Sequence, residues 1–333
     1  GSEMCIRDRP SAGGRMAGRE LGPVSELDWL SGKECLSVRT YILKRFLMTA
    51  LVLLVVIVFL TLLIHITPGD PAKTLLGPRA NDDLIAKVRA SMDLDKPVHI
   101  QIANAVWHTL QGDLGTDIFS GRRISELIGA ALPHTLILAW TALTMAVILG
   151  VPLGVYSATH PDSWPDRILA VTSISFITIP SYVAGLFLLL IFAVELQWMP
   201  AIGLGEEGDP ADYIKHLILP ATALAVTWIG YLARLVRASL LEVLNQTYIR
   251  AAMAAGLSRR QIFYKYALKN ALIPTVAVLG IGIGKLMGGA VFVELIFSRP
   301  GMGSLIYNAV QARNYPIVRA GVLVVAVLFV LAN

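Results

Sequence analysis

The chain has 333 residues, of which 55% are hydrophobic and only 15% are charged, and its formal net charge is +5. Soluble domains carry about 25% charged residues, so this composition excludes an ordinary soluble protein and indicates one that lies in a membrane. In such a protein basic residues mark topology, and a modest positive charge does not indicate a nucleic-acid partner. Cys5 and Cys35 both precede the first apolar segment, so the rest of the chain has no cysteine for a disulfide or a metal site.

The N-terminal part divides into a polar segment and a first transmembrane helix. Residues 1–38 contain scattered glycine, proline and charges, so we expect a disordered or non-native segment. Residues 39–66 are predicted as the first transmembrane helix, because the apolar run 46–66 is about as long as the roughly 30 Å hydrocarbon core is thick. Basic residues at 39, 44 and 45 predict a cytoplasmic N-terminus.

A polar segment follows the first helix. Two prolines and a glycine within 68–71 end the helix, because they cannot continue its hydrogen bonding. Residues 67–131 have mixed charge and helical patches at 82–92 and 100–110. We therefore predict a small extracytoplasmic domain between the first and second transmembrane helices.

Residues 132–333 are predicted as a five-helix core. Its apolar segments lie at about 132–158, 168–194, 216–238, 271–297 and from 316 onward. The last segment is short, so we expect the chain to stop within its sixth helix. Prolines inside three of the segments are tolerated where neighbouring helices satisfy the freed carbonyls. The predicted fold is an all-α membrane protein with six transmembrane helices, the last one truncated.

Charge distribution predicts the orientation of these helices. The loop at 193–215 carries five acidic residues and one lysine, whereas residues 234–269 carry seven basic residues and one glutamate. Alternation from a cytoplasmic N-terminus puts the acidic loop outside and the basic region inside. Both charge counts therefore agree with one topology under the positive-inside rule.

The basic loop at 242–270 has internal structure. An alanine-rich segment leads to Gly256, the residue type that best adopts the left-handed conformation at the end of a helix. Ser258 and Gln261 then form an S-x-x-Q capping box that begins a second short helix. An ordinary solvated basic loop is the simplest alternative. Short helices need a surface to pack against, so we predict a thin projection that enters a groove on another protein.

We expect no catalytic, cofactor or metal site. The six histidines are scattered without an H-E-x-x-H pair, and no G-x-S-x-G motif occurs. Gly284 and Lys285 resemble the end of a phosphate-binding loop, but Leu279 and Leu286 occupy positions that the motif reserves for Gly and Ser or Thr. The chain is therefore not expected to hydrolyse ATP itself.

Lys285 lies near the middle of the fifth apolar segment, where a charge facing lipid costs at least about 2.5–3.5 kcal/mol. Glu294 is nine residues away (285 to 294) and half a helical turn out of phase, so the two cannot pair on one helix. Our candidates for a translocation path are Ser181, Tyr182, Lys285 and Glu294. The alternative is a structural lysine satisfied by backbone carbonyls or a partner subunit.

Several motifs carry a family resemblance that covers about residues 40–333. Arg250-Ala251-Ala252 followed by Gly256 resembles the EAA loop of ABC-transporter permease subunits, with Arg in place of the usual Glu. Further motifs in matching order resemble the dipeptide/oligopeptide/nickel branch, namely P-G-D-P at 68–71, G-D-L-G at 112–115, I-P-S at 179–181, L-P-A at 219–221, A-L-K-N-A-L-I-P at 267–274 and F-S-R-P-G-M-G at 297–303. The resemblance implies an ATPase-coupling loop that contains Arg250, Ala251, Ala252, Gly256, Leu257 and Ser258.

The long segment between the first two helices is similar to the dipeptide permease B type. This resemblance implies a second homologous permease subunit, two cytoplasmic ATP-binding subunits and an extracytoplasmic solute-binding protein. It also implies residence in the lipid bilayer of a bacterial or archaeal cytoplasmic membrane. The cargo stays open among dipeptides, oligopeptides, glutathione, nickel chelates and sugars.

Two other classes were weighed against this interpretation. A gradient-driven secondary transporter or channel is the main alternative, but the sequence shows no inverted repeat and no run of intramembrane carboxylates. An intramembrane enzyme lacks a candidate catalytic pair.

Overall fold

The computed structural model describes residues 38–66, 70, 72–73, 81–92, 94–206 and 208–332. The prediction for residues 1–38 therefore lies outside the described part, except for residue 38. The chain divides into residues 1–48 and 49–333, and the packing below is that of the second unit. Regular structure in the described residues is helical, as predicted, apart from one isolated β-bridge between Thr116 and Arg123.

Helix α1, Val38–Ile66, ends where the sequence predicted, directly before the segment with two prolines. Two short helices follow in the predicted extracytoplasmic segment: α2, Asp82–Ser91, and α3, Val98–Leu110. Helix α4, Ile124–Thr159, begins earlier than the expected start at 132. The extra turns, residues 124–131, are interrupted by Ser125 and Glu126, and they bury Ile124 and Ile128 in a separate apolar cluster.

The third apolar segment is broken. Helix α5, Trp164–Thr178, and helix α6, Ser181–Leu188, which continues as a π-helix over Leu189–Glu195, are bent by 104° at their junction. Ile179 and Pro180 have extended backbone conformations there. Proline disfavours a helical conformation in the residue before it, which here is Ile179. The continuous helix expected over 168–194 is therefore wrong.

The remaining helices complete the predicted order. They are α7, Pro210–Leu244; α8, Thr247–Ala254; α9, Ile273–Ile296; α10, Met302–Gln311; and α11, Tyr315–Ala332. Within the described residues, five helical segments are long and apolar enough to cross a membrane, or six if the bent pair counts as one span. The number of spans therefore equals the expected six only when α5 and α6 are counted as one span.

Helix α7 lies at the centre of the core and packs against α4, α5, α6 and α9. Small residues permit this close packing: a Cβ on Gly154 of α4 would lie 2.5 Å from the Ala233 carbonyl oxygen. A Cβ on Gly230 of α7 would likewise lie 2.6 Å from the Ser173 carbonyl oxygen of α5. Because lipid is as apolar as leucine, such backbone contact and van der Waals packing stabilise helix association in a membrane.

Candidate functional site

The loop between α7 and α9 forms the predicted helix–glycine–helix structure. Helix α8 ends at Ala254, and Gly256 adopts φ +79°, which confirms the predicted left-handed conformation. The Leu257 amide closes the turn by donating to the Ala252 carbonyl at 3.3 Å. Glycine adopts this conformation without the steric cost that a Cβ would add.

The second arm of the loop begins at the predicted capping box. The Gln261 amide donates to Ser258 Oγ at 3.3 Å, and the Ser258 amide donates to Gln261 Oε1 at 3.3 Å. The arm is not the separate short helix that the sequence suggested. It is the start of one helical segment, Arg259–Ile296, that includes a π-helical stretch and then α9. The arm contains no glycine or proline. The segment passes through a turn at Leu272 before α9 begins, so Pro274 lies in the first turn of α9, where its missing amide costs little.

Buried apolar side chains hold the loop against the ends of the long helices. Ile249 of α8 is fully buried, and Ile262 of the second arm is 4% exposed. They pack in one cluster with Ala158 at the end of α4 and Leu240 near the end of α7. Asn270 Nδ2 also donates to the Tyr248 hydroxyl at 2.9 Å, which connects the two arms. The loop is therefore a folded element, and the alternative of an ordinary solvated loop is disfavoured.

The opposite side of this element is open. Five of the six predicted coupling residues are exposed: Arg250, Ala251, Gly256, Leu257 and Ser258. Ala252 is instead partly buried against the apolar cluster. Residues 245–270 carry five basic residues and no acidic residue. We call the exposed part of residues 250–258 the tip. It presents small residues and the charge of Arg250 to the solvent, and the other four basic residues follow it in the second arm.

A buried ion pair supports the same end of the helices. Asp166, in the first turn of α5, accepts hydrogen bonds from Arg237 Nε and Nη2 of α7, both at 2.8 Å. Ser157 Oγ and the Asp162 amide also donate to this carboxylate. We call this group the α5–α7 clamp. Sequence reasoning missed it, because Asp166 has the pattern of an ordinary acidic residue in a first helical turn and its partner lies 71 positions away.

Two of the candidate path residues lie beside α9. Ser181 Oγ would be 3.6 Å from a Cβ on Gly289, and the Tyr182 ring lies 5.7 Å from the Phe292 ring, centroid to centroid. Lys285 is exposed and lies seven positions before Phe292 (285 to 292), on the same face of α9. The structure thus brings Ser181 and Tyr182 to the helix that carries Lys285.

Glu294, the fourth candidate, lies elsewhere. Its side chain is 1% exposed and accepts hydrogen bonds from Thr135 Oγ1 at 2.5 Å and from the Ser304 amide at 3.0 Å. Thr135 Oγ1 in turn accepts from the Met302 amide at 2.8 Å. These bonds join α4, α9 and α10. This placement does not favour the predicted role of Glu294 in a translocation path and favours a structural one.

Arg299, in the F-S-R-P-G-M-G motif, is a second buried charged residue, and the sequence alone assigned it no role. It is 2% exposed, and its Nη1 donates to the carbonyls of His216 at 3.1 Å and Gly203 at 3.4 Å. Its guanidinium also lies 5.3 Å from the centre of the Tyr213 ring. Arg299 therefore joins the start of α7 to the turn after α9. In the sequence, only its place in the family motif distinguished it.

A half-open cavity of about 520 Å³ lies between the predicted extracytoplasmic segment, the end of α1 and the start of α11. Asp117, which lines it, accepts hydrogen bonds from Asn314 Nδ2 at 2.5 Å and from the Ser120 amide at 3.0 Å. Burial acts to raise the pKa of the Asp117 carboxyl, but hydrogen bonds from Ser120 and Asn314 outweigh it, so the pKa lies below its ordinary value. Asp117 thus fastens this segment to the chain before α11. Among the described residues, no cluster of three or more His, Cys, Asp or Glu side chains could hold a metal ion.

The described chain has several candidate membrane spans and a folded projection between two of them, an arrangement that a membrane transport subunit can have. Two family descriptions match the chain: "Binding-protein-dependent transport system inner membrane component" over residues 150–333, and the corresponding N-terminal description over residues 38–139. The chain therefore belongs to the binding-protein-dependent inner-membrane transport components. It is a permease subunit of an ABC importer in the peptide and oligopeptide branch, as the sequence motifs indicated.

The chain is also similar to curated relatives. The chain is 40% identical over 296 residues to the glutathione transport system permease protein GsiC of Salmonella choleraesuis strain SC-B67, covering 88% of this chain and 94% of the relative. It is 36% identical over 293 residues to GsiC of Escherichia coli strain K12, with the same coverage. An inward-facing structure of the MetNI methionine ABC transporter is 21% identical to the chain, matches 62% of this chain and 92% of that chain, and has a TM-score of 0.48.

Proposed function

We propose that this permease imports small peptides, including glutathione-like peptides, and that its tip at residues 250–258 docks onto a separate cytoplasmic ATPase. The cargo class rests on the similarity to the glutathione permease proteins. The docking surface rests on one observation: Ile249 and Ile262 are buried and hold the tip rigidly, while the tip itself stays exposed. A surface that is fixed in this way is suited to transmit force between proteins.

The connections of α8 explain how movement would pass into the membrane. Only Asn245 and Gln246 separate α7 from α8, and the second arm of the loop is helical into α9. When two ATPase subunits close on ATP, a displacement of the tip would therefore move α7 and α9 together. Because α9 carries Lys285 and contacts Tyr182 through Phe292, the same movement would change the candidate path.

The proposal includes the partners and the orientation. The importer would contain a second homologous permease, two cytoplasmic ATP-binding subunits and an extracytoplasmic solute-binding protein, and this chain would supply half of the path and no ATPase site. Its N-terminus would be cytoplasmic, because the basic residues at 234–269 and the acidic loop at 193–215 fit that topology.

Co-purification combined with uptake tests this function. The tagged chain, expressed with the products of neighbouring transport genes, is expected to elute with an ATPase and a second permease. In proteoliposomes the complex is expected to import glutathione or dipeptides only with ATP and the binding protein. Uptake driven by an ion gradient without an ATPase would contradict the proposal and support the secondary-transporter alternative.

A further inference from the structure

Lys285 occupies a position in α9 that requires a polar partner. It is the thirteenth residue of the 24-residue helix Ile273–Ile296, so it lies about 18 Å from the start of the helix and nearly as far from its end. From such a depth the lysine side chain is too short to bring its amine to the headgroup region. A charge that faces lipid at this depth costs about 2.5–3.5 kcal/mol or more.

The chain itself covers α9 on two sides and leaves a third side open. A Cβ on Gly282 would lie 2.9 Å from the Trp228 ring of α7, and a Cβ on Gly284 would lie 2.4 Å from the Phe329 ring of α11. The open side is a stripe along the helix formed by Ile281, Lys285, Gly288 and Phe292, which are exposed and follow one another at intervals of four, three and four residues. Lys285 therefore points away from the core of its own subunit.

In the part of the chain that the structure describes, no group neutralises the amine. Among the described residues Lys285 takes part in no hydrogen bond or ion pair. Glu294, the other charged residue of α9, is buried and held by Thr135 and the Ser304 amide. The positive charge is therefore available to a molecule outside this subunit.

The stripe that contains Lys285 also offers free space and lies beside a phenol, while its Ile281 and Phe292 are apolar. Gly288, one turn further along the stripe, leaves open space where a Cβ would be. Tyr182, which is 44% exposed, lies against Phe292 and brings a phenol hydroxyl to the same side. An amine, a phenol and a side-chain gap on one face form a surface along which a small polar molecule can pass.

We propose that Lys285 is a specificity-determining residue that contacts carboxylates of the cargo during translocation and favours peptides with an additional negative charge. This inference rests on the proposed function, because it requires peptide import through the face of α9. An ammonium group in a site with little water attracts a carboxylate more strongly than it would in bulk water. Glutathione and acidic dipeptides carry such an additional carboxylate, whereas neutral dipeptides do not.

The test compares uptake of Ala-Glu with uptake of Ala-Gln, which has nearly the same shape and lacks the additional charge. The complete importer is used in proteoliposomes with its own binding protein. Lys285→Met is expected to lower Ala-Glu uptake roughly tenfold more than Ala-Gln uptake, the size of one lost charged hydrogen bond. Lys285→Arg should keep the wild-type ratio, and Lys215→Met, an exposed lysine on α7, is the matched control.

Each other outcome overturns the inference in a distinguishable way. Equal loss of both peptides, or no loss, removes the specificity role. Failure of Lys285→Met to assemble with its partner subunits assigns the lysine to structure. If the wild-type importer transports neither these dipeptides nor glutathione, the proposed function fails and the inference fails with it.

Thiol labelling provides a second readout that does not depend on transport rates. In a background of Cys5→Ser and Cys35→Ser, Lys285→Cys is expected to react with a membrane-impermeant thiol reagent in the assembled importer, and bound Ala-Glu should slow the reaction. A thiol in lipid or in a tight subunit interface stays protonated and unreactive. Absence of labelling would overturn the path location.

Discussion

The α5–α7 clamp makes an asymmetric prediction. The Asp166 side chain is 4% exposed, whereas the Arg237 side chain is 33% exposed. Arg237→Met would leave a buried carboxylate without its cation, and breaking a buried pair in this way costs about 3–5 kcal/mol. Asp166→Asn would leave an arginine that water already reaches, and would keep some of the hydrogen bonds, so we expect a cost of about 1–2 kcal/mol. The arginine variant should therefore be the more destabilised one.

The apparent melting temperature of the purified importer, measured at one fixed scan rate, checks this difference. One kcal/mol shifts the melting temperature by about 2–4 °C for a domain of 150–250 residues. From the midpoints of these ranges, Arg237→Met should lower it by about two to three times the shift of Asp166→Asn. Arg234→Met, an exposed arginine one turn away on α7, should change it little. Equal shifts for the two clamp variants, or a larger shift for Asp166→Asn, would refute the reasoning from burial.

Two further predictions concern topology and the predicted extracytoplasmic segment. Glu206→Cys should react with an impermeant thiol reagent added to intact cells, and Arg259→Cys only after permeabilisation; the reverse pattern would overturn the proposed orientation. Because the pKa of Asp117 is lowered in the folded protein, its carboxylate stabilises the fold above the ordinary aspartate pKa, and this contribution is lost as pH falls through the lowered pKa. Asp117→Asn should therefore lower the melting temperature at pH 7, with a difference from wild type that shrinks below about pH 4. The exposed Asp113→Asn is the control, and a difference that does not depend on pH would contradict this interpretation.

The sequence predicted features that depend on local chemistry. The left-handed Gly256 and the capping box at Ser258 are decided by a few neighbouring residues, and both are present. The apolar segments were also found near their true positions, because hydropathy over about 20 residues reports directly on the bilayer. Their helical ends were less accurate, since α4 begins at Ile124, in turns where Ser125 and Glu126 interrupt the apolar run.

Features that depend on distant partners could not be predicted. Glu294 was grouped with Lys285 because both are charges in one apolar segment, but its hydrogen bonds come from residues 135 and 304, which only the fold brings together. Pro180 was expected within a continuous span, and a proline alone does not indicate whether a helix kinks or turns through 104°. The clamp between Asp166 and Arg237 was missed for the same reason.

The coupling role of the tip is tested most directly by two matched glycine variants. Gly256 and Gly112 both follow a helix C-cap, with φ +79° and +73°, and a Cβ at either position would meet nothing within 4 Å. Valine should therefore cost a similar amount at both, at least about 1–2 kcal/mol of backbone strain. Only Gly256 lies in the tip.

The measurement is ATP-dependent peptide uptake by the reconstituted importer, normalised to the amount of assembled complex. Gly256→Val is expected to lose most of its uptake while remaining inserted in the membrane, whereas Gly112→Val should stay close to wild type. Wild-type uptake by a stably inserted Gly256→Val importer would contradict the coupling assignment, as would an equal loss in both variants.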